Sequence, residues 1–420
     1  MATPFGAEMS PPIQANAPKG ALGFIFMVIL LDLIGLTILQ PVQAYIVRQY
    51  NSDALTVSLL TVIYAAAQFV CAPILGRLSD RYGRRPVLLL SVLGSAFGYY
   101  LFGVGGALWV LFVSRLIDGI TGGNISTASA YIADITPPHQ RAKRFALIGM
   151  AFGLGFIIGP ALGGALSQIS LAAPAYAAGT LSLLSAIVGF FVLPESLPAE
   201  RRTAGAFRWQ EINPLGAVVA MARRPTLGAL LLVLCLFYVA FNGYPGVLSV
   251  FAIEQFSAQP FEIAIVFVVG GVANAIVQGG LIGRLVPKYG EKRLAIIGLT
   301  LQALGFVATI FAPAFWMLYP IAVVSSAGTG LIYPTLSALM ANQVRPQEQG
   351  QVAGVGTALS GLMSVFGPLW AGAAYDQLMP SAPFWSGAIL LALAIVVLVG
   401  VRTASRPAGA RVAMDTAEGV

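Results

Sequence analysis

Three ionisable side chains fall inside long apolar runs of this sequence: Asp32, Arg115 and Asp118. An ionised group in such a run is costly unless it is paired, neutral or in contact with water, so each is a functional candidate. Asp32 lies in Leu31-Asp-Leu-Ile-Gly35, with Pro41 further along the same run. A carboxyl there is suited to taking up and releasing a proton, or to a permanent structural pairing. Arg115 and Asp118 are three residues apart and share one face of a helix. Asp118 either neutralises Arg115 or is a second proton site. The lone histidine, His139, sits in a polar segment, and Cys71 and Cys235 both lie in apolar runs. That leaves no metal-ligand spacing, no disulfide and no nucleophile–base constellation. An enzyme, a metal site and a cofactor site are therefore not expected.

The elements that must position these groups are helices in a bilayer. Of 420 residues 58% are hydrophobic and 9% charged, against roughly 25% charged in an average soluble domain. Too few polar side chains exist to cover a water-facing surface, which excludes soluble and disordered chains alike. Apolar runs predict twelve spans, at about 21–46, 54–76, 86–105, 108–133, 144–168, 172–193, 226–252, 262–283, 294–312, 315–341, 351–374 and 383–401. The runs are continuous rather than alternating, and only helices satisfy their own backbone in lipid, so a barrel is excluded. Of the 23 basic residues, 21 fall on one side if both termini are cytoplasmic; Arg48 falls on the other, and Arg115 within a span. That asymmetry sets the orientation and accounts for the net charge of +7 without nucleic-acid binding. The opposite loops carry Asp53, Glu254, Glu262 and Asp376. Residues 1–20 resemble no cleavable signal and form a cytoplasmic tail; 21–193 and 226–401 are two six-helix bundles, joined by a cytoplasmic loop at 194–225 and followed by a tail at 402–420.

The bundles repeat one another. Gly76-Arg-Leu-Ser-Asp-Arg-Tyr-Gly-Arg-Arg85 recurs 207 residues later as Gly283-Arg-Leu-Val-Pro-Lys-Tyr-Gly-Glu-Lys292. Gly159-Pro-Ala-Leu-Gly-Gly164 recurs 208 residues later as Gly367-Pro-Leu-Trp-Ala-Gly372. An even number of spans per copy keeps both in one orientation. This is a parallel repeat, with a pseudo-two-fold axis along the membrane normal and a cavity between the halves.

Two motifs have a direct physical reading. In the first, Gly76 and Gly83 permit close approach and a tight turn, Asp80 can sit against backbone amides, and Arg81 and Arg84 can bridge helix ends. In the second, Gly155, Gly159, Gly163 and Gly164 let helices pack closely while Pro160 bends the fifth span. The first run resembles the loop signature of the major facilitator superfamily (G-x-L-[AS]-D-R-x-G-R-[RK]). The resemblance implies a latch for the outward-open state at Asp80, Arg81 and Arg84, with Asp134 as charge-relay partner. The second resembles the motif of drug/proton antiporters. Asp32 with its neighbours resembles their first-helix motif, and Arg115 to Gly119 (R-x-x-x-G) their membrane arginine, linked to proton transfer. Ser129-Ala-Tyr-Ile-Ala-Asp-Ile-Thr136, followed by Arg141-Ala142 and Phe145, is similar to the tetracycline/proton antiporter group.

That group carries an aspartate in the third helix and another in the ninth. Here the matched stretches read Ser95-Ala96-Phe97-Gly98-Tyr99 and Gly298-Leu299-Thr300-Leu301-Gln302, so Asp32 and Asp118 would carry the proton work. Tyr238, Asn242, Asn274, Gln278 and Gln302 are candidate cavity residues, able equally to serve as helix–helix hydrogen bonds. The resemblance implies a monomeric all-α exporter of a small amphipathic compound in a bacterial inner membrane, exchanging it for protons by alternating access. A proton-coupled importer of a nutrient or organic acid is the other reading.

Overall fold

The computed structural model describes residues 21–137, 140–202 and 214–401. Lys19, His139, Arg208, Arg402, Arg406, Arg411 and the two expected tails lie outside the described residues. The elements are α1 (Ala21–Ile38), α2 (Gln43–Arg48), α3 (Ala54–Tyr82), α4 (Arg84–Val104), α5 (Leu108–Thr121), α6 (Asn124–Asp134), α7 (Arg141–Ser167), α8 (Ala173–Val192), α9 (Pro214–Ala222), α10 (Pro225–Phe256), α11 (Pro260–Ile276), α12 (Ile282–Tyr289), α13 (Glu291–Ile310), α14 (Leu318–Ala341), α15 (Gln349–Gln377) and α16 (Ala382–Gly400). No strand occurs among the described residues, and ten of their helices are long and apolar enough to cross a bilayer.

The twelve crossings include two broken ones. The first span pauses between α1 and α2, where Gln40 precedes Pro41 and a pre-proline residue disfavours helix. The fourth pauses between α5 and α6 at Gly122-Gly123, the residues with the weakest hold on helical geometry. The eighth runs α11 to α12 through a π turn at Val277–Leu281, a widening that commonly accompanies functional sites. Spans two, seven, eight and eleven extend several residues past the apolar runs, because helix continues beyond the lipid-matching stretch.

The internal repeat is visible in three dimensions. Within the first half, α1 packs on α7, α4 on α8, and α3 and α4 on α5. Within the second, α10 packs on α15, α13 on α16, and α11 and α13 on α14. The turns ending the second span of each half are built on glycines at positive φ, Gly83 at 107° and Gly290 at 77°. A side chain at either would be strained. Gly159 lies on Thr37 and Ile34 of α1, and its counterpart Gly367 lies on the Val239 carbonyl of α10.

The halves meet through two symmetric pairs, α3 with α15 and α7 with α11. They close at the face carrying the acidic loops. Arg48 pairs with Glu254 at 3.1 Å, the Tyr375 hydroxyl donates to Glu254 at 2.5 Å, and Tyr45 donates to the Ala258 carbonyl. The Asp376 carboxylate accepts from the Ala54 and Leu55 amides at 3.0 and 2.7 Å, capping α3 from the other half. Gly164 rests on Phe261 and Gly372 on Leu55 and Ser58. Toward the basic face the pairs part: a Cβ at Gly153, Gly280, Gly283 or Gly354 would meet no atom within 4 Å. These contacts between the halves gather at the acidic face and thin toward the basic one.

Closure therefore needs a bare glycine at 372, where a Cβ would stand 2.8 Å from the Leu55 Cα. Overpacking of this kind costs about 1–3 kcal/mol, which is about fivefold to a hundredfold in the closed population. In a background with Cys71 and Cys235 changed to serine, Gly372→Val should raise maleimide labelling of a cysteine placed at the buried Ser58 by about tenfold. Unchanged labelling would show that this contact does not hold the face shut.

Candidate functional site

The break in the fourth span builds the site. Because α6 begins anew at Asn124, its side chain is free of the α5 register and reaches α1. Its Nδ2 donates to Asp32 Oδ1 at 2.8 Å. Asp32 is half-buried and makes no salt bridge among the described residues, while Asn124 is fully buried and its Oδ1 has no hydrogen-bond partner. The carbonyl freed at Gly122 accepts from Gln68 Nε2 at 2.7 Å, and the same nitrogen reaches the Tyr64 hydroxyl at 3.0 Å. An uncapped carbonyl in a bilayer must find such a partner.

One helical turn or more toward the acidic face, Arg115 and Asp118 form a buried pair, 3.2 Å apart. The guanidinium lies over the Tyr99 ring at 5.1 Å and the Phe102 ring at 4.7 Å, contacts that suit a desolvated arginine. Gly98 leaves room for the Asp118 side chain, whose Cβ would lie 3.2 Å from a Cβ at 98. The Ser95 and Tyr99 hydroxyls face the carboxylate, although Oδ2 completes no regular hydrogen bond. Asp118 on the fourth span thus places its acid against the Ser95–Tyr99 stretch of the third.

At the basic face the loop signature forms an ion cluster around Arg84. Its guanidinium meets Asp80 at 2.6 Å and Asp134 at 3.1 Å and donates to Ser79 Oγ at 2.6 Å. Ser196 also donates to Asp134. Gly83 supplies the turn, the Gly76 carbonyl accepts from Ser79 Oγ at 2.6 Å while a Cβ at 76 would meet no atom within 4 Å, and Arg81 lies exposed over the Tyr82 ring rather than in the cluster. The glycine motif is wholly a packing surface: Gly155, Gly159 and Gly163 seat α7 on Leu33, Thr37 and Ile38 of α1, and Gly164 faces the other half. Pro160 stays within α7.

The five candidate cavity residues do not share one setting. Tyr238 is buried, with Tyr333 and Ser360 facing its hydroxyl. Asn242 has an unpartnered buried Nδ2. Asn274 and Gln278 bond to each other at 2.8 Å at the edge of the π turn. Gln302 is 2% exposed and accepts from Thr329 at 2.7 Å, within the tight α13–α14 contact. Its place is in helix packing.

These features match known proteins. The model of the major facilitator superfamily fits residues 25–288 and 279–417. The chain belongs to the major facilitator superfamily. Its relatives include the class C tetracycline resistance protein of Escherichia coli, 36% identical over 94% of this chain and 98% of that protein. The class G protein of Vibrio anguillarum is 33% identical over 91% and 96%. The crystal structure of the human organic anion transporter MFSD10 superposes with a TM-score of 0.69 at 27% identity, covering 90% of this chain and 98% of that one. As a superfamily member the chain is a multi-pass membrane transporter of small molecules, not an enzyme.

Residue-type and motif reasoning missed Asn124, Tyr64, Gln68 and Glu195. The glycine pair before Asn124 and the four-residue spacing of Tyr64 and Gln68 were the available signals. Glu195, in Pro194-Glu-Ser196, accepts from the Arg84, Arg85, Ser196 and Leu197 amides, so it caps α4 and steadies the cluster. Glu195→Ala should lower stability in detergent by about 1–3 kcal/mol, read as a drop in Tm. An unchanged Tm would remove Glu195 from the support of this cluster.

Proposed function

We propose that this transporter exports a small amphipathic compound, of the kind handled by tetracycline and multidrug exporters, in exchange for protons. In this reading the basic face and both termini are cytoplasmic in a bacterial inner membrane, and the described state is inward-open. The observation that carries the reading is the setting of Asp32. Its carboxyl is held by a neutral amide rather than an ion pair, in a region too apolar to favour a fixed charge. It can therefore change charge without breaking a salt bridge.

A proton arriving from outside neutralises Asp32 and favours the state open to the cytoplasm, where it is released. Substrate binding from the cytoplasm favours the opposite change. Each ligand shifts the equilibrium only by its differential affinity for the two states. Asp80, Arg84 and Asp134, with Arg81 beside them, act as the latch when the halves close at the basic face. Tyr238, Asn242, Asn274 and Gln278 contact substrate, and Arg115 with Asp118 belongs to the proton pathway.

Charge also separates this reading from transport of an organic anion, the class named for the human neighbour. Arg115, the one basic residue within the apolar runs of the sequence, is neutralised by Asp118. The uncompensated group is Asp32, which favours a cationic or neutral ligand. Asp32→Asn should abolish efflux of tetracycline driven by a pH gradient in proteoliposomes while leaving membrane insertion and equilibrium counterflow intact. Full gradient-driven efflux by this variant would refute the assigned role.

A further inference from the structure

Asp32 and Asp118 lie on different helices, and each is accounted for separately by its own partner. What lies between them is not. Tyr64 of α3 and Tyr99 of α4 are each within electrostatic reach of both carboxyls. The Tyr99 hydroxyl faces Asp118, and a Cβ at Gly35, three residues and one turn from Asp32, would stand 2.8 Å from that hydroxyl. The Tyr64 hydroxyl is held by Gln68 at 3.0 Å and would lie 3.3 Å from a Cβ at Gly122, beside the Asp118 carbonyl. Bare glycines thus leave room for the Tyr99 hydroxyl against α1 at Gly35 and for the Tyr64 hydroxyl against the end of α5 at Gly122. Phenylalanine would pack there as well, so the hydroxyls are not required for volume.

We propose that Asp32 and Asp118 form one proton-carrying unit, coupled through the Tyr64 and Tyr99 hydroxyls, with Asn124 as the residue that positions Asp32. This rests on the proton-exchange reading above. A hydroxyl passes a proton by giving its own to the ionised carboxylate while taking one from the protonated carboxyl. One proton changes place and the tyrosine ends as it began. The other charged group facing the pair is Arg115, which holds Asp118 when that carboxyl is ionised. The stretch of α7 from Leu147 to Ser167, packed on α1, contributes no ionisable side chain, and α8 contributes only Tyr176, placed against Gly103. Asn124 is fully buried with an unpartnered Oδ1. Its amide is oriented by the bond to Asp32, and it is suited to setting that carboxyl's direction.

Carboxyl titration followed by infrared difference spectroscopy on the purified full chain tests this without knowledge of the substrate. Coupled acids titrate as a pair, so removing one shifts the midpoint of the other, by about 1 pH unit for strong coupling. Asp32→Asn should shift the remaining Asp118 midpoint in an otherwise unchanged chain. In a Tyr64→Phe, Tyr99→Phe background that shift should fall to half or less. Asn124→Ala should move the Asp32 midpoint, and Asn124→Ser, which keeps a donor, should restore it in part. An equal Asp118 shift with and without the two hydroxyls overturns the coupling role of the tyrosines. An unmoved Asp32 midpoint in Asn124→Ala overturns the positioning role. An unchanged Tm in each variant shows that it is folded. Loss of coupling alongside intact gradient-driven efflux would sink the unit and spare the exporter reading. Coupling without any such efflux would do the reverse.

Discussion

A carboxyl in a low-dielectric setting, held by a single neutral amide, is the constraint around which this structure is arranged. An ionised group there needs partners, and a permanent cation would fix its charge. Asn124 provides an intermediate: a hydrogen bond at 2.8 Å that steadies Asp32 without neutralising it. For Asn124 to reach α1 the fourth span has to stop and restart, and the Gly122-Gly123 break does this. The break frees a carbonyl, and Gln68 satisfies it while fixing Tyr64. A local interruption of one helix thus generates the polar node in the spans of the first half.

Around that node the fold supplies two faces at which the halves meet differently. At the acidic face the halves are joined by exposed and half-exposed groups, including the Arg48–Glu254 pair and the Asp376 cap on α3. Such contacts are individually weak in water, which suits a closure that has to open. At the basic face the Arg84 cluster lies entirely within the first half. In this state it organises the end of α3 and leaves the second half free. The duplicated glycines perform matched roles: Gly159 and Gly367 seat the fifth and eleventh spans within their own halves, while Gly164 and Gly372 touch the opposite half.

The architecture was legible in the sequence because apolar length and charge asymmetry are properties of single segments. The repeat was legible because glycine at a positive φ cannot be replaced cheaply, so Gly83 and Gly290 both persist. The breaks at Gln40–Pro41 and Gly122-Gly123 were hidden inside runs whose hydropathy is continuous. Side-chain partnerships across helices were not legible, since they depend on rotation and depth. By sequence, Asp118 either neutralises Arg115 along one helix or is a second proton site, with nothing to place it against another span. The structure adds that it fills the space above Gly98 and faces Ser95 and Tyr99 of the third span. Gln302 suits a cavity or a helix–helix hydrogen bond by type, and it lies buried where Gly298 and Gly328 approach closely.

The central claim is that the charge on Asp32 selects which face of the transporter is open. Distances between spin labels placed at the exposed Tyr82 and Lys288, near the basic ends of α3 and α12, measure that directly by pulsed electron resonance across a pH series. The account predicts two distance populations whose ratio changes with pH in the otherwise native chain and is constant in Asp32→Asn. A ratio that does not respond to pH, or responds equally in both, would contradict it.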